Sequence, residues 1–203
     1  MNVLDWARKI QAIAHNGLLY SQDSFDRERY QKLEELAESI VAAKLDLSLQ
    51  EVKALWVPQN GYETPKVDVR GAVFRDDAIL LVRERSDGKW SLPGGWVDVN
   101  DSPAEAVARE IFEESGYRAR AVKLASLVDR QRHPHPPSVH HIFKLFFLCE
   151  LFDGSPTISN ETDAIDFFPL NGLPELSTSR VTLGQIQKMY EHHRHPDLPT
   201  DFD

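Results

Sequence analysis

The apolar residues of the first 57 positions recur at helical spacing. The first stripe comprises Val3, Trp6, Ala7, Ile10 and Ala14. A second stripe runs through residues 30–41 among charged residues, and Ser48 and Glu51 have the spacing of a capping box that begins a third, short helix. The pattern therefore predicts a helical N-terminal extension over residues 1–57.

The pattern changes after residues 58–65, which hold two prolines and an Asn-Gly pair and are predicted to form a linker. Three stretches of strand length are rich in β-branched and aromatic residues, namely 67–74, 78–83 and 142–151. Helices are predicted over residues 103–115 and 182–193. Strands and helices therefore share a second domain over residues 66–194, and residues 195–203, which contain Pro and Asp, are predicted to form a loose tail.

The run from Ile142 to Cys149 is apolar on both faces, which is typical of a central strand covered on both sides. Cys149 is the single cysteine of the chain and has no partner for an internal disulfide. No apolar run has the length of a membrane span, and the first segment carries charged residues within its apolar pattern. These features favour a protein of a reducing compartment, and we expect it in the cytoplasm.

The net charge of the 203 residues is −9, so non-specific binding to DNA or to an anionic membrane is disfavoured. An acidic protein can still bind an anionic substrate if a metal cation bridges the two. The apolar stripes of the N-terminal extension require burial, because three short helices make a marginal core by themselves. Since most soluble oligomers are twofold homodimers, the extension is predicted to form a dimer interface.

The segment from residue 92 to residue 117 holds a loop followed by a helix with both ends marked. Ser102 and Glu105 form a second capping box, and Pro103 stands at the first helical position. Gly116 stands where a helix C-cap glycine belongs. The markers predict a helix of three to four turns between them.

Three glutamates share one face of this helix, because Glu110, Glu113 and Glu114 stand at positions i, i+3 and i+4. Like charges at this spacing repel by roughly 0.2–0.5 kcal/mol per pair on an exposed helix. The cluster is therefore either a solvated acidic face, the commoner case, or a site for a hard cation such as Mg²⁺, Mn²⁺ or Ca²⁺. Arg109 stands four residues from Glu105 and from Glu113 and could pair with either.

The same segment resembles the Nudix box, which decides between these alternatives. The box runs Gly, five residues, Glu, seven residues, Arg-Glu, an aliphatic residue, any residue, Glu-Glu, any residue, Gly and a hydrophobic residue. The positions that match in register are Gly95, Arg109, Glu110, Ile111, Glu113, Glu114, Gly116 and Tyr117. Asp101 stands where the family has Glu, which shortens the side chain that anchors the loop to Arg109.

The resemblance to Nudix hydrolases implies a site and a reaction. Family members bind Mg²⁺ or Mn²⁺ and use water to attack a diphosphate. The implied metal ligands are Glu110, Glu113, Glu114 and the carbonyl of Gly95, and Arg109 is implied to orient them. The general base differs between members, so it is either a glutamate of the box, Glu110 or Glu113, or a glutamate of a later loop, for which Glu161 is the candidate.

Arg70, Arg83 and Arg85 lie at the ends of predicted strands, and arginine binds phosphate in a bidentate way. We expect at least one of them to contact substrate. The helical extension and the junction at residues 62–71 are similar to one branch of the family, which includes CDP-choline pyrophosphatases and ADP-ribose pyrophosphatases. That likeness implies an α+β fold, the α/β/α Nudix sandwich with a mixed sheet between helices, and a homodimer that hydrolyses a small nucleotide-linked substrate. CDP-choline is the first expectation and ADP-ribose the second.

Two other functions are compatible with parts of the chain. Hydrolysis at the 5′ end of RNA is favoured by the basic loop 130–136 but disfavoured by the net charge. A Nudix-fold regulator that binds DNA without catalysis would need a basic accessory module. Residues 1–57 contain seven Lys and Arg against nine Asp and Glu, a net charge of −2, and the carboxylates of the box are intact. The sequence therefore predicts an enzyme.

Overall fold

The computed structural model describes residues 3–56 and 61–203, which fall into two compact units. The first unit contains the described residues up to Pro65 and the short segment Pro137–His141. The second contains Lys66–Pro136 and Ile142–Asp203. Part of the predicted linker, residues 58–60, lies outside the described residues.

Three helices build the first unit. They are α1 (Val3–Tyr20), α2 (Ser24–Leu45) and α3 (Leu49–Leu55). The predicted capping box of Ser48 and Glu51 begins α3. Gly17 interrupts the apolar pattern, but helix α1 continues through it. A Cβ at this position would overlap the ring of Tyr30 in α2. The glycine therefore permits the close approach of two helices.

The core of the first unit overlaps only in part with the predicted stripe of α1, whose Ala7 and Ala14 are fully buried. It is formed by Leu4, Ala7, Val41, Val52 and Val139. Val3 and Trp6, which share the predicted stripe with Ala7, remain 43% and 55% exposed. Segment Pro137–His141, predicted to lie in the catalytic domain, belongs to this unit, and the indole Nε1 of Trp56 donates to the carbonyl of Val139 at 3.4 Å.

A mixed sheet forms the centre of the second unit. Its strands are β1 (Lys66–Arg75), β2 (Ala78–Glu84), β3 (Trp90–Ser91), β4 (Tyr117–Asp129), β5 (Ile142–Gly154), β6 (Thr162–Phe168) and β7 (Asp201–Phe202). The strand order is β3-β2-β1-β5-β4-β7, and β6, which is outside this order, also pairs with β2. Strand β1 runs parallel to β5 and β4 parallel to β7, whereas the other pairs are antiparallel.

Two helices, α4 (Pro103–Ser115) and α5 (Leu183–Arg194), cover the two faces of this sheet. On one face, Val107 and Ile111 of α4 pack against residues of β1 and β5 that include Val69 and Phe147. On the other, α5 packs through the cluster that contains Ala72, Phe146, Ile186 and Met189. The predicted α+β sandwich is confirmed, and β5 is an interior strand, as its apolar pattern indicates.

The prediction of a loose C-terminal tail was wrong. Residues Asp201–Phe202 pair with β4 as a parallel edge strand, and the hydroxyl of Thr200 donates to the carbonyl of Leu124 at 2.7 Å. The Asp201 carboxylate lies 2.7 Å from Nε2 of the fully buried His192. A tail that contains Pro and Asp is compatible with a loose segment by composition, but the open edge of β4 supplies partners for its backbone.

The basic loop 130–136 is anchored rather than free. It begins with a 3-10 turn at Arg130–Arg132, in which Arg130 is buried. Nδ1 of His135 lies 2.7 Å from the carbonyl of Thr178, and its Nε2 lies 2.9 Å from the Gln185 amide. Burial, the largest effect, lowers the pKa of His135 to about 4. The imidazole is therefore neutral near pH 7 and acts as a hydrogen-bonding anchor.

Candidate active site

Local signals position the carboxylates of α4. Both halves of the capping box of Ser102 and Glu105 are formed, Pro103 stands in the first turn, and Gly116 ends the helix in the left-handed region with φ 73°. These signals fix where the helix begins and ends, so the direction in which each glutamate projects follows from its place in the sequence.

A turn at Gly94 and Gly95 lies against β1 and faces α4. The backbone N–H of Val69 donates to the carbonyl of Gly95 at 2.8 Å, and Gly94 has φ 145°, where a Cβ would overlap the Val69 carbonyl. A Cβ on Gly95 would lie 2.9 Å from Oε1 of Glu110. Glycine is required at Gly94, where the overlap is with backbone, whereas at Gly95 the close group is the end of the Glu110 side chain.

Two glutamates of α4 are directed into the protein. Glu114 is buried, and its Oε2 accepts a hydrogen bond of 2.9 Å from the backbone N–H of Gly94. Burial, opposed by the charge of Arg70 and by this hydrogen bond, raises the pKa of Glu114 to about 8. Burial also raises the pKa of Glu110 above its usual value, against the opposing charge of Arg109. Both carboxylates therefore lie where negative charge is costly.

Arg109 connects the loop and the helix through four carboxylates. Its Nε donates to Asp101 at 3.1 Å, so the shorter acid that replaces the family's glutamate still reaches the arginine. Its Nη1 lies 3.0 Å from Glu110 and 3.1 Å from Glu113, and its Nη2 lies 3.3 Å from Asp98. Of the two pairings predicted for Arg109, the one with Glu113 is confirmed, whereas Glu105 instead caps α4.

Glu161 stands immediately before β6 and is exposed. Its carbonyl accepts from the backbone N–H of Arg85, and its own N–H donates to the hydroxyl of Ser159. The next residue, the fully buried Thr162, donates its hydroxyl to the carbonyl of Glu114 at 2.7 Å. The backbone of the later loop is thereby fastened to the last turn of α4.

The three arginines have different environments. Arg83 is partly exposed and pairs with Asp163 at 2.6 Å, and Arg85 is exposed and donates to the carbonyl of Ser159 at 3.2 Å. Arg70 is buried, and the hydrogen bonds described for its guanidinium go to Asp68 and to the carbonyl of Leu92. The expectation that Arg70 contacts substrate is not supported by this burial.

Sequence reasoning missed the charged groups around Arg70. The carboxylates of Asp68, Glu114 and Glu84 outweigh the opposing effect of burial and raise the pKa of Arg70 above its usual value. Lys144, in the otherwise apolar run of β5, lies in register with Asp68 of the parallel strand β1 and pairs with it. A charged residue inside an apolar central strand was the available signal, since such a charge needs a partner.

The oxygen donors of the site fit a hard divalent cation, although the carboxylates do not form a complete coordination shell. Among the residues described, 3–56 and 61–203, no group of three or more His, Cys, Asp or Glu side chains is placed to hold a metal ion. Glu110 and Glu114 are nevertheless drawn together at the Gly94–Gly95 turn, with pKa values raised chiefly by burial, and the charge of Glu110 adds to the shift of Glu114. A divalent cation would relieve that desolvation.

Comparisons with known proteins agree with the fold and the box. The family model of the NUDIX domain matches residues 64–186, and a model described as a UDP-X-like, N-terminal oligomerisation domain matches residues 1–56. A protein of Bacillus subtilis (strain 168), provisionally named ADP-ribose pyrophosphatase YjhB, is 44% identical over 200 residues, which cover 98% of this chain and 96% of that protein.

Two solved structures are also similar. A UDP-X diphosphatase is 32% identical with a TM-score of 0.65, and the match covers 100% of both chains. An ADP-ribose pyrophosphatase of Streptococcus suis 89-1591 is 39% identical with a TM-score of 0.64, and the match covers 69% of this chain and 100% of that one.

The chain belongs to the NUDIX family and is a Nudix hydrolase. The predicted family and enzyme class are thereby confirmed, and the alternative of a non-catalytic regulator is set aside. Hydrolases of this family generally use divalent metal ions and act on nucleotide-linked small molecules. No helix in the described part of the chain is long and apolar enough to cross a membrane.

Proposed function

We propose that the protein hydrolyses the diphosphate linkage of a nucleoside diphosphate joined to a second moiety, and that ADP-ribose is its substrate ahead of CDP-choline. The observation that carries the reaction class is the convergence of Glu110 and Glu114 on the Gly94–Gly95 turn, with Arg109 bridging loop and helix. The preference for ADP-ribose is supported by the name of the Bacillus subtilis relative, which matches over nearly the whole chain. CDP-choline, the first expectation from the sequence, has no such support.

The residues that would hold Mg²⁺ or Mn²⁺ are Glu110, Glu113, Glu114 and the carbonyl of Gly95. All four supply oxygen, the donor that these ions prefer. A bound divalent cation would neutralise negative charge on the diphosphate and on the departing phosphate. Arg109 restrains two of the carboxylates, and its bond to Asp101 fixes the loop that carries Gly95.

Glu161 is our candidate for the general base. Both box glutamates named as alternatives, Glu110 and Glu113, are proposed metal ligands, and each already accepts a hydrogen bond from Nη1 of Arg109. Within the described parts of the chain, the carboxylate of Glu161 has no hydrogen bond or ion pair, so its oxygens are available to accept a proton from water. The bond from Thr162 to the Glu114 carbonyl keeps Glu161 next to the end of α4.

Arg83 and Arg85 are proposed to contact the phosphates. Arg83 lies near the end of β2 and Arg85 directly follows that strand, and Arg85 donates its backbone N–H to the carbonyl of Glu161. Both guanidinium groups retain exposed surface and carry donors suited to phosphate oxygens.

The test is a substrate panel with purified protein and either Mg²⁺ or Mn²⁺, containing ADP-ribose, CDP-choline, a UDP-sugar and an RNA with a 5′-triphosphate. Products are identified by chromatography and phosphorus NMR. We expect ADP-ribose to give AMP and ribose 5-phosphate with the highest kcat/KM. A preparation of Glu114→Gln, purified in parallel, controls for contaminating hydrolases. Higher kcat/KM for CDP-choline would reverse the order of substrates, and no cleavage of any diphosphate compound would overturn the proposed reaction.

A homodimer formed through α1 is the second part of the proposal. Val3, Trp6, Ile10 and Ile13 follow the alternating spacing of three and four that defines a coiled-coil seam, and Tyr20 stands seven residues beyond Ile13. Trp6, Ile13 and Tyr20 are 55%, 60% and 69% exposed. A second copy would cover this seam, and residues 1–56 match the model of an oligomerisation domain.

Ile13→Asp should convert the dimer into a monomer, because it places a charge in the middle of the exposed seam without touching the core of the helical unit. The mass is measured by light scattering coupled to size exclusion at micromolar concentration. Gln31→Asp, which adds a charge at an exposed position of α2, is the matched control and should remain dimeric. A monomeric wild type, or a dimeric Ile13→Asp, would contradict this interface.

A further inference from the structure

Three charged side chains lie together inside the sheet of the second unit. Arg70, Asp68 and Lys144 have side chains that are 6%, 8% and 2% exposed. Asp68 and Arg70 alternate along β1 and therefore share a face, and Lys144 lies opposite Asp68 on the parallel strand β5. Nε and Nη2 of Arg70 donate to the two oxygens of Asp68 at 3.1 and 2.7 Å, and Nζ of Lys144 donates to the first of them.

The energetics of this cluster do not favour it as a device for stability alone. Removal of charge from water costs several kcal/mol per ion, and apolar residues of similar volume often stabilise a core equally well. Here two cations share one carboxylate, and the next anionic groups that act on Arg70 are Glu114 and Glu84. The three side chains therefore carry two positive charges and one negative charge. Glu114 of the site is one of the anionic groups that this excess positive charge attracts.

The remaining nitrogen of the Arg70 guanidinium connects the cluster to the glycine turn. Its Nη1 donates to the carbonyl of Leu92 at 3.1 Å, one residue before Pro93. The backbone N–H of Gly71 donates to the carbonyl of Pro93 at 2.9 Å, and the N–H of Gly94 then donates to Glu114. A continuous series of contacts thus leads from Lys144 to the Glu114 carboxylate.

We propose that Asp68 and Lys144 are positioning residues for the proposed hydrolysis, because they hold Arg70 against the Leu92 carbonyl and thereby fix the Gly94–Gly95 turn and Glu114. Asp68 holds the guanidinium with two parallel hydrogen bonds, which define its plane. Lys144 restrains Asp68 from the neighbouring strand. The inference rests on the proposed function, since the turn and Glu114 are the groups assigned to the divalent cation.

The test compares Lys144→Met and Asp68→Asn with the wild type in two assays. Mn²⁺ binding is measured by the electron paramagnetic resonance signal of the free ion, which requires no turnover, and kcat and KM are measured with ADP-ribose. Partners outside the immediate ligands of a metal typically change metal affinity or activity by about 10–100-fold. We expect weaker Mn²⁺ binding and lower kcat in that range, with little change in KM.

Asp201→Asn is the matched control, because it weakens the pair with buried His192 in the C-terminal segment. It should lower the melting temperature and leave Mn²⁺ affinity unchanged. If Asp68→Asn does not fold, Lys144→Met decides, since methionine has a similar volume and leaves Arg70 paired with Asp68. Lower stability with wild-type Mn²⁺ affinity and wild-type kcat would overturn the proposal, as would a wild type that binds no Mn²⁺. Failure of ADP-ribose hydrolysis alone would overturn the proposed substrate and leave the Mn²⁺ comparison to decide the role of the cluster.

Discussion

Glu114→Gln is expected to reduce kcat/KM for the diphosphate substrate by more than about 100-fold, because loss of even an outer partner of a metal site costs 10–100-fold. The amide that replaces the carboxylate is neutral and is a weak ligand for a hard divalent cation. The fold should be retained, because glutamine has nearly the same shape and its carbonyl oxygen can still accept the hydrogen bond from Gly94. Steady-state kinetics at saturating Mg²⁺ measure the loss.

The same substitution should change how stability depends on pH. Burial raises the pKa of Glu114 from the usual 4.5 of a glutamate to about 8. In the absence of divalent cations, the folded protein therefore retains a proton that the unfolded chain has released, so stability should fall as pH rises through this interval. Thermal unfolding in EDTA should show this fall in the wild type and a weaker dependence on pH in Glu114→Gln.

Glu105→Gln is the control for both measurements. It lies in the first turn of the same helix and is exposed, and glutamine preserves a capping box. Near-normal activity is expected for this variant. Near-normal turnover of Glu114→Gln at saturating Mg²⁺ would remove Glu114 from the site.

Glu161→Gln is expected to lower kcat by about 10²–10⁴, the usual contribution of general-base catalysis. The glutamine occupies the same exposed position before β6 but cannot accept a proton from water. Mn²⁺ affinity should be unchanged, because Glu161 is not among the proposed ligands.

Glu150→Gln, which alters an exposed glutamate paired with Arg120, provides the comparison and should keep its kcat. A loss of less than about threefold in Glu161→Gln would be far below the contribution of a general base. In that case the role would pass to Glu110 or Glu113, the other candidates from the box.

The sequence by itself determined the features that depend on near neighbours in the chain. The ends of α4 follow from Ser102, Pro103 and Gly116, and the shared face of its glutamates follows from their spacing of three and four residues. The replacement of the family's glutamate by Asp101 was also visible in the sequence, whereas its effect on the contact with Arg109 was not. Such features survive in any tertiary context because the hydrogen bonds and side-chain directions that produce them lie within one or two turns of helix.

The tertiary structure decided the features that join distant segments. Asp68 and Lys144 are 76 positions apart, and they meet because β1 and β5 pair in parallel with a particular register. That register also buries Arg70, which the sequence places among substrate-binding arginines. The C-terminal segment likewise pairs with β4, although its composition indicates a loose tail. The alternation of residues constrains which face of a strand is buried, but the choice of a partner strand far away in the sequence depends on how the whole sheet packs.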